Sequence, residues 1–156
     1  MHTRAVAWSL VWGSLLLAGC TRDKPQDTSG QTPPTTQGPG MSNEKAAQSA
    51  AEAWLALVDA GNYPQSWSDA AGYFKKAIDQ PGWQKALDAT RTPLGKMLLR
   101  TLKSAKYATS LPGAPDGEYV VIQFDTSFER KQTAVETVTP MKEPDGTWRV
   151  SGYLIK

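Results

Sequence analysis

Between Asn43 and Gly61 the apolar positions fall at three- and four-residue steps: Ala47, Ala50, Ala51, Trp54, Leu55 and Val58 line one side of an alanine-rich stretch. That spacing predicts an amphipathic helix closed by the glycine. A second, shorter helical pattern runs through Trp67, Ala70, Ala71, Phe74 and Ile78, with Ser66 as its expected N-cap and Lys75 and Lys76 near its C-terminal end. A third starts near Pro81 and carries Trp83, Leu87 and Thr90. Thr92-Pro93 has the form of an N-cap followed by the first residue of a further helical turn. On a helical wheel Leu94, Met97, Leu98 and Leu102 then share one side, and Lys96, Arg100 and Lys103 the other.

From Lys103 onward the period falls to two. Ala105, Tyr107, Thr109 and Leu111 form one alternating series, and Val120, Ile122, Phe124 and Phe128 a second. Val135, Thr137, Thr139 and Met141 form a third, and Trp148, Val150 and Leu154 a fourth. Turn residues separate them: Pro112-Gly113 with Asp116-Gly117, Glu129-Arg130-Lys131, and Pro144-Asp145-Gly146. Connections this short permit only antiparallel neighbours, because a parallel return needs a crossover of a dozen or more residues. The expected fold class is α+β, with N-terminal helices covering one face of a four-stranded antiparallel meander.

The chain before Asn43 has a different character. Met1–Arg4 carries a positive charge, and Ala5–Gly19 carries none. As a helix the uncharged stretch would extend roughly 22 Å, short of the ~30 Å hydrocarbon core, so a secretory leader fits better than a membrane span. It ends in Leu17-Ala18-Gly19-Cys20, which resembles the lipobox of bacterial lipoproteins. That resemblance implies cleavage before Cys20, a diacylglycerol on its thiol and an acyl chain such as palmitate on the freed amine. Thr21, where an Asp would retain a lipoprotein at the inner membrane, implies the outer membrane. Residues 21–40 contain no aliphatic or aromatic side chain and four prolines, and such a segment cannot offset its ordering entropy by burial. The expected organisation is a leader over 1–19, a lipidated Cys20 with a disordered tether over 20–41, and one folded domain over 42–156.

Composition then removes whole classes of chemistry. The only histidine is His2 and the only cysteine is Cys20. A chain cut at Cys20 has no imidazole, which excludes Ser-His-Asp and Cys-His catalysis and zinc, haem or iron–sulfur sites built on those ligands. The formal net charge of the 156-residue chain is +2, too little to draw it to nucleic acid. No cofactor and no metal is expected.

Candidate site residues are those whose chemistry sits on core-facing elements. Glu136 shares a strand face with Ala134 and Val138, and Arg91, just before a proline-initiated turn, is placed to pair with it or another carboxylate. Tyr107 and Tyr153 bring hydroxyls to strands. Trp67, Tyr73 and Trp148 supply aromatic surface for a pocket, and Arg100 belongs to the basic face that an anionic lipid or acidic partner would meet. Asp125 sits mid-strand as a candidate general base, but alternation points it away from Phe124, toward solvent.

Four separated motifs carry a further resemblance: Arg91-Thr92-Pro93-Leu94-Gly95, the stretch Leu111–Tyr119, Glu136-Thr137-Val138-Thr139 and the stretch Asp145–Tyr153. In this order they resemble the DUF4019 family of bacterial proteins over about residues 45–156. That family implies no activity, substrate or catalytic residue, and its order of elements is similar to cystatin-like and NTF2-like cone folds. The functional expectation is a lipid-anchored, periplasm-facing module at the bacterial outer membrane. It would bind an unknown envelope protein or a small ligand without catalysis. A metal-free acid–base enzyme and an envelope assembly or stress accessory are the alternatives.

Overall fold

The computed structural model describes residues 39–156; the leader, Cys20 and the tether through residue 38 lie outside the described residues. Four α-helices precede four strands: α1 (Pro39–Asp59), α2 (Tyr63–Ser68), α3 (Gly72–Ala77), α4 (Gln80–Arg91), β1 (Met97–Ala108), β2 (Tyr119–Phe128), β3 (Lys131–Lys142) and β4 (Trp148–Ile155). The strands form one antiparallel sheet in the order β1-β2-β3-β4. The α+β fold of helices on a meander is therefore as the sequence implies.

α1 packs against all four strands and leaves the opposite sheet face without a helix. Its stripe of Ala47, Ala51, Trp54, Leu55 and Val58 meets Val120, Ile122, Phe124, Val138 and Val150 from the sheet. The small alanines let the helix backbone approach the sheet, and the large tryptophans fill the space beyond it. Trp54, Trp83, Phe74 and Tyr153 pack as tilted and edge-on rings with centroids 4.9–6.2 Å apart. Ser66 is fully buried among them. Trp54 Nε1 donates to its carbonyl at 2.7 Å, Trp83 Nε1 donates to its Oγ at 3.0 Å, and that hydroxyl donates to the Tyr63 carbonyl at 2.9 Å. One serine thus supplies acceptors for two buried indoles.

Several local expectations are corrected. The pattern from Trp67 to Ile78 is two short helices rather than one, and Ser66 lies inside α2, where Asn62 supplies the N-cap by accepting from the Gln65 N–H. α4 is capped by Asp79, which accepts from the Gly82 N–H. Thr92–Leu94 forms a single 3₁₀ turn, and the helix expected through Leu102 does not exist. Met97 begins β1 instead, and β1 ends at Ala108, before Leu111.

The reason lies in the register. β1 pairs with β2 through Met97↔Phe128, Leu99↔Ser127, Leu102↔Phe124 and Ser104↔Gln123, so Leu98 and Lys103 are extra residues bulging from the ladder. Two bulges within six residues erase a period of two and leave a spacing that mimics a helix. β3 also inverts its expected parity: Ala134, Glu136, Val138 and Pro140 face the helices, and Val135, Thr137 and Thr139 do not, while Met141 packs against the edge of the core. In β4, Pro140 pairs with Val150 but Thr139 with Gly152, so one extra residue, Ser151, turns Tyr153 inward and Leu154 outward.

Candidate functional site

The inward faces of all four strands and the last residues of α1 and α4 converge on one charged cluster. Glu136 has no exposed surface. Its Oε1 accepts from Arg91 Nη1 at 3.1 Å and from the Tyr153 hydroxyl at 2.6 Å. Its Oε2 accepts from Arg100 Nε and from Thr126 Oγ1, both at 2.7 Å. Asp59, the last residue of α1, lies at the solvent side with 18 % of its side chain exposed. Arg100 grips it through Nη1 at 2.7 Å and Nη2 at 3.0 Å, and Arg91 Nη2 also donates to it. The Arg91 guanidinium lies 4.6 Å from the Phe128 ring centroid, covering the rest of its surface with a π face.

Local chain geometry explains the convergence. Arg91 ends α4, where a cation complements the partial negative charge of the helix terminus. Asp59 ends α1, where the dipole is unfavourable, and two guanidinium groups offset it. Arg100 sits opposite Thr126 in the register, between the two β1 bulges. Tyr153 faces inward because of the extra residue in β4.

Two cations and two carboxylates cancel in formal charge, and the carboxylate oxygens are satisfied within the protein. Desolvation of that kind is tolerated only when each ion is both paired and hydrogen-bonded. Burial acts to lower the Arg100 pKa, but its bonds to Asp59 and Glu136 outweigh that and raise it above the ordinary guanidinium value. Burial, reinforced by the Glu136 charge, pushes the Tyr153 hydroxyl well above the ordinary phenol range.

Four of the eight candidate residues read from sequence meet here: Arg91, Arg100, Glu136 and Tyr153. The other four do not. Trp67 packs beside the core and donates Nε1 to the Ile78 carbonyl at 2.8 Å. Tyr107 is half-buried against the core, and its N–H donates to Glu44 Oε1 at 3.2 Å. Trp148 lines a groove of about 410 Å³ beside α1, with Ala50, Ala53 and Leu57. Tyr73 lines a cleft of about 640 Å³ with Lys76, Glu118, Met141 and Lys142, and donates its hydroxyl to the Gly113 carbonyl. Arg100 was expected on a solvated basic face and is instead buried in the cluster, because its segment is a strand. Asp125 is exposed and pairs with Lys103 at 2.9 Å, as alternation implies.

Sequence reasoning missed Asp59 and Thr126. Both carried a signal: Asp59 continues the Ala51–Leu55 stripe of α1, and Thr126 fills the gap in the series Val120, Ile122, Phe124, Phe128. A polar residue at an inward position calls for a polar partner there.

A second cleft, of about 420 Å³, opens on the cluster from outside and is lined by Asp59, Tyr63, Arg91, Lys96, Glu129 and Arg130 among others. It reaches Asp59 and Arg91 but is not lined by Glu136 or Tyr153. Among the described residues, no group of three or more His, Cys, Asp or Glu side chains is placed to hold a metal.

The family described as "Protein of unknown function (DUF4019)" matches residues 50–153, from the middle of α1 to the tyrosine of the cluster. The chain belongs to the DUF4019 family. No curated protein matches the DUF4019 chain. Among its described residues no helix is long and apolar enough to cross a membrane.

Proposed function

We propose that this DUF4019 chain is a lipid-anchored binding module of the bacterial cell envelope, held through Cys20 at the outer membrane and facing the periplasm. The observation that carries the reading is the closure of the charged cluster. A catalytic carboxylate needs a free lone pair facing a substrate, whereas the Glu136 oxygens accept four hydrogen bonds from the protein itself. An acid–base enzyme would require the Glu136–Tyr153 pair to line a cavity, and the adjoining cleft ends at Asp59 and Arg91. The cluster acts as a clasp joining the ends of α1 and α4 to the sheet.

Binding then falls to the surface. The 640 Å³ cleft between α3 and the β1–β2 and β3–β4 connections presents Tyr73, Met141, Lys76 and Lys142, a mixture of aromatic, adaptable and cationic groups suited to a segment of a partner protein. The lipobox Leu17-Ala18-Gly19-Cys20 and the uncharged stretch before it support the anchor.

Two measurements test this reading. Mass spectrometry of the N-terminal peptide from the membrane fraction is expected to give Cys20 carrying acyl chains; an unmodified thiol overturns the anchor. A photo-crosslinking residue placed at Met141 of the full chain in cells is expected to give one discrete adduct that Lys142→Glu abolishes. No adduct from any position lining either cleft overturns the binding role.

A further inference from the structure

Of the large hydrophobic side chains exposed on the described domain, three lie on one flank, the strand β1: Leu98 at 57 % and Leu99 at 63 %, with Leu99 turned by its register opposite Ser127 to the bare sheet face, and Leu102 at 41 %, turned opposite Phe124 to the helix side. Two contacts define that flank. Glu44 of α1 meets the Tyr107 N–H near the end of β1, and Asp59 of α1 meets Arg100 near its beginning. α1 therefore runs the length of β1 in the opposite direction, and the chain leading back to Cys20 leaves from the same flank. β1 is an edge strand, and its two bulging residues, Leu98 and Lys103, project from the ladder where they disfavour pairing with another strand.

Exposed lysines accompany the leucines: Lys96, Lys103 and Lys106 on or beside β1, and Lys45 on α1. The acids that face this strand are each engaged, Glu44 by the Tyr107 N–H, Asp125 by Lys103 and Glu129 by the Lys96 N–H. Lys96 and Lys106 form no ion pair among the described residues. Protruding leucines bracketed by lysines match the boundary between acyl chains and headgroups, where the leucine enters and the ammonium stays with phosphate.

We propose that this flank lies against the anionic bilayer to which the chain is tethered, with Leu98 and Leu99 entering the interface and Lys96 and Lys106 on phosphate groups. The proposal rests on the lipid anchor argued above. Residues 21–38 carry no aliphatic side chain to cover the leucines themselves, and these 18 residues are all that separates an anchored Cys20 from the domain. Docking would fix the orientation of the domain and turn its clefts away from the lipid.

The test uses the mature chain with Cys20→Ala, exported behind an ordinary cleaved leader, so that its readout is independent of lipidation. Leu99→Cys then carries the only thiol and takes an environment-sensitive dye. With vesicles of phosphatidylethanolamine and about one third phosphatidylglycerol, the dye is expected to shift to the blue and to be quenched by bilayer-embedded quenchers. The same dye at Asp88→Cys on α4 stays unquenched. Binding is expected to weaken roughly fivefold for each of Lys96→Gln and Lys106→Gln, and at least tenfold for Leu98→Asp with Leu99→Asp, in chains whose circular dichroism and Tm match the parent. Equal binding to phosphatidylcholine vesicles, no depth quenching at position 99, or a blue shift without vesicles that grows with protein concentration (a second copy covering the leucines) each overturns the proposal. An unmodified Cys20 in the native protein, with these results intact, would overturn the anchor alone.

Discussion

At the scale of single residues, Glu136 is the centre of the molecule's polar chemistry, and its loss would leave two buried guanidinium groups sharing the one carboxylate of Asp59. Glu136→Ala is expected to lower stability by about 3–5 kcal/mol in urea titrations, the range for breaking a buried pair. Replacing Glu136, Arg91 and Arg100 together by apolar residues of similar volume should cost much less than the sum of the single changes. Tyr153 gives the cluster a pH signature. Because its folded pKa is raised above the unfolded value near 10, its contribution is fully present below pH ~10 and is lost as pH rises beyond it. Tyr153 alone should give a slope of up to about 1.4 kcal/mol per pH unit there, and Tyr153→Phe should flatten the alkaline limb of a stability–pH curve. Ser66→Ala should cost about 1–3 kcal/mol, since it leaves the Trp83 indole N–H buried without an acceptor.

At the scale of elements, legibility in the sequence depended on regularity. α1, α4 and β2 carry uninterrupted periods and were readable directly, as was the antiparallel order from the short turns. β1 was not, because the extra residues Leu98 and Lys103 break alternation and Leu94, Met97, Leu98 and Leu102 happen to fall at helical spacing. The same misreading put Arg100 on the surface, so half of the candidate site was named without its geometry. Arg91 and Glu136 were readable as a pair because each is a charged residue on an otherwise inward face. Asp59 was passed over because the glycine after it reads as a helix end, where an exposed acid attracts no notice. The joint between the 3₁₀ turn and β1 has its own test. Gly95 has φ +76°, and an added Cβ would sit 2.7 Å from Glu129 Oε2. Gly95→Ala should therefore destabilise by about 1–3 kcal/mol, visible as a lowered Tm with unchanged circular dichroism at 20 °C.

At the scale of the whole molecule, a helical layer on one sheet face and a bare second face make a lopsided domain. Its interior is closed by the clasp at one end of the sheet, and the 640 Å³ cleft opens at the other, beside Glu118 and Lys142. Hydrogen exchange should reflect that division: amides of β2 and β3, flanked on both sides, should exchange by global unfolding, and those on the free edge of β1 much faster. The single surplus residue in β4 sets a limit on how such chains can diverge in length. Deleting Ser151 would rotate everything after Val150 by half a turn, carrying the Leu154 side chain toward Glu136 and the phenol of Tyr153 into water. Insertions belong in the loops of this fold; within its last strand, one codon more or less exchanges a donor for a hydrocarbon beside a buried anion.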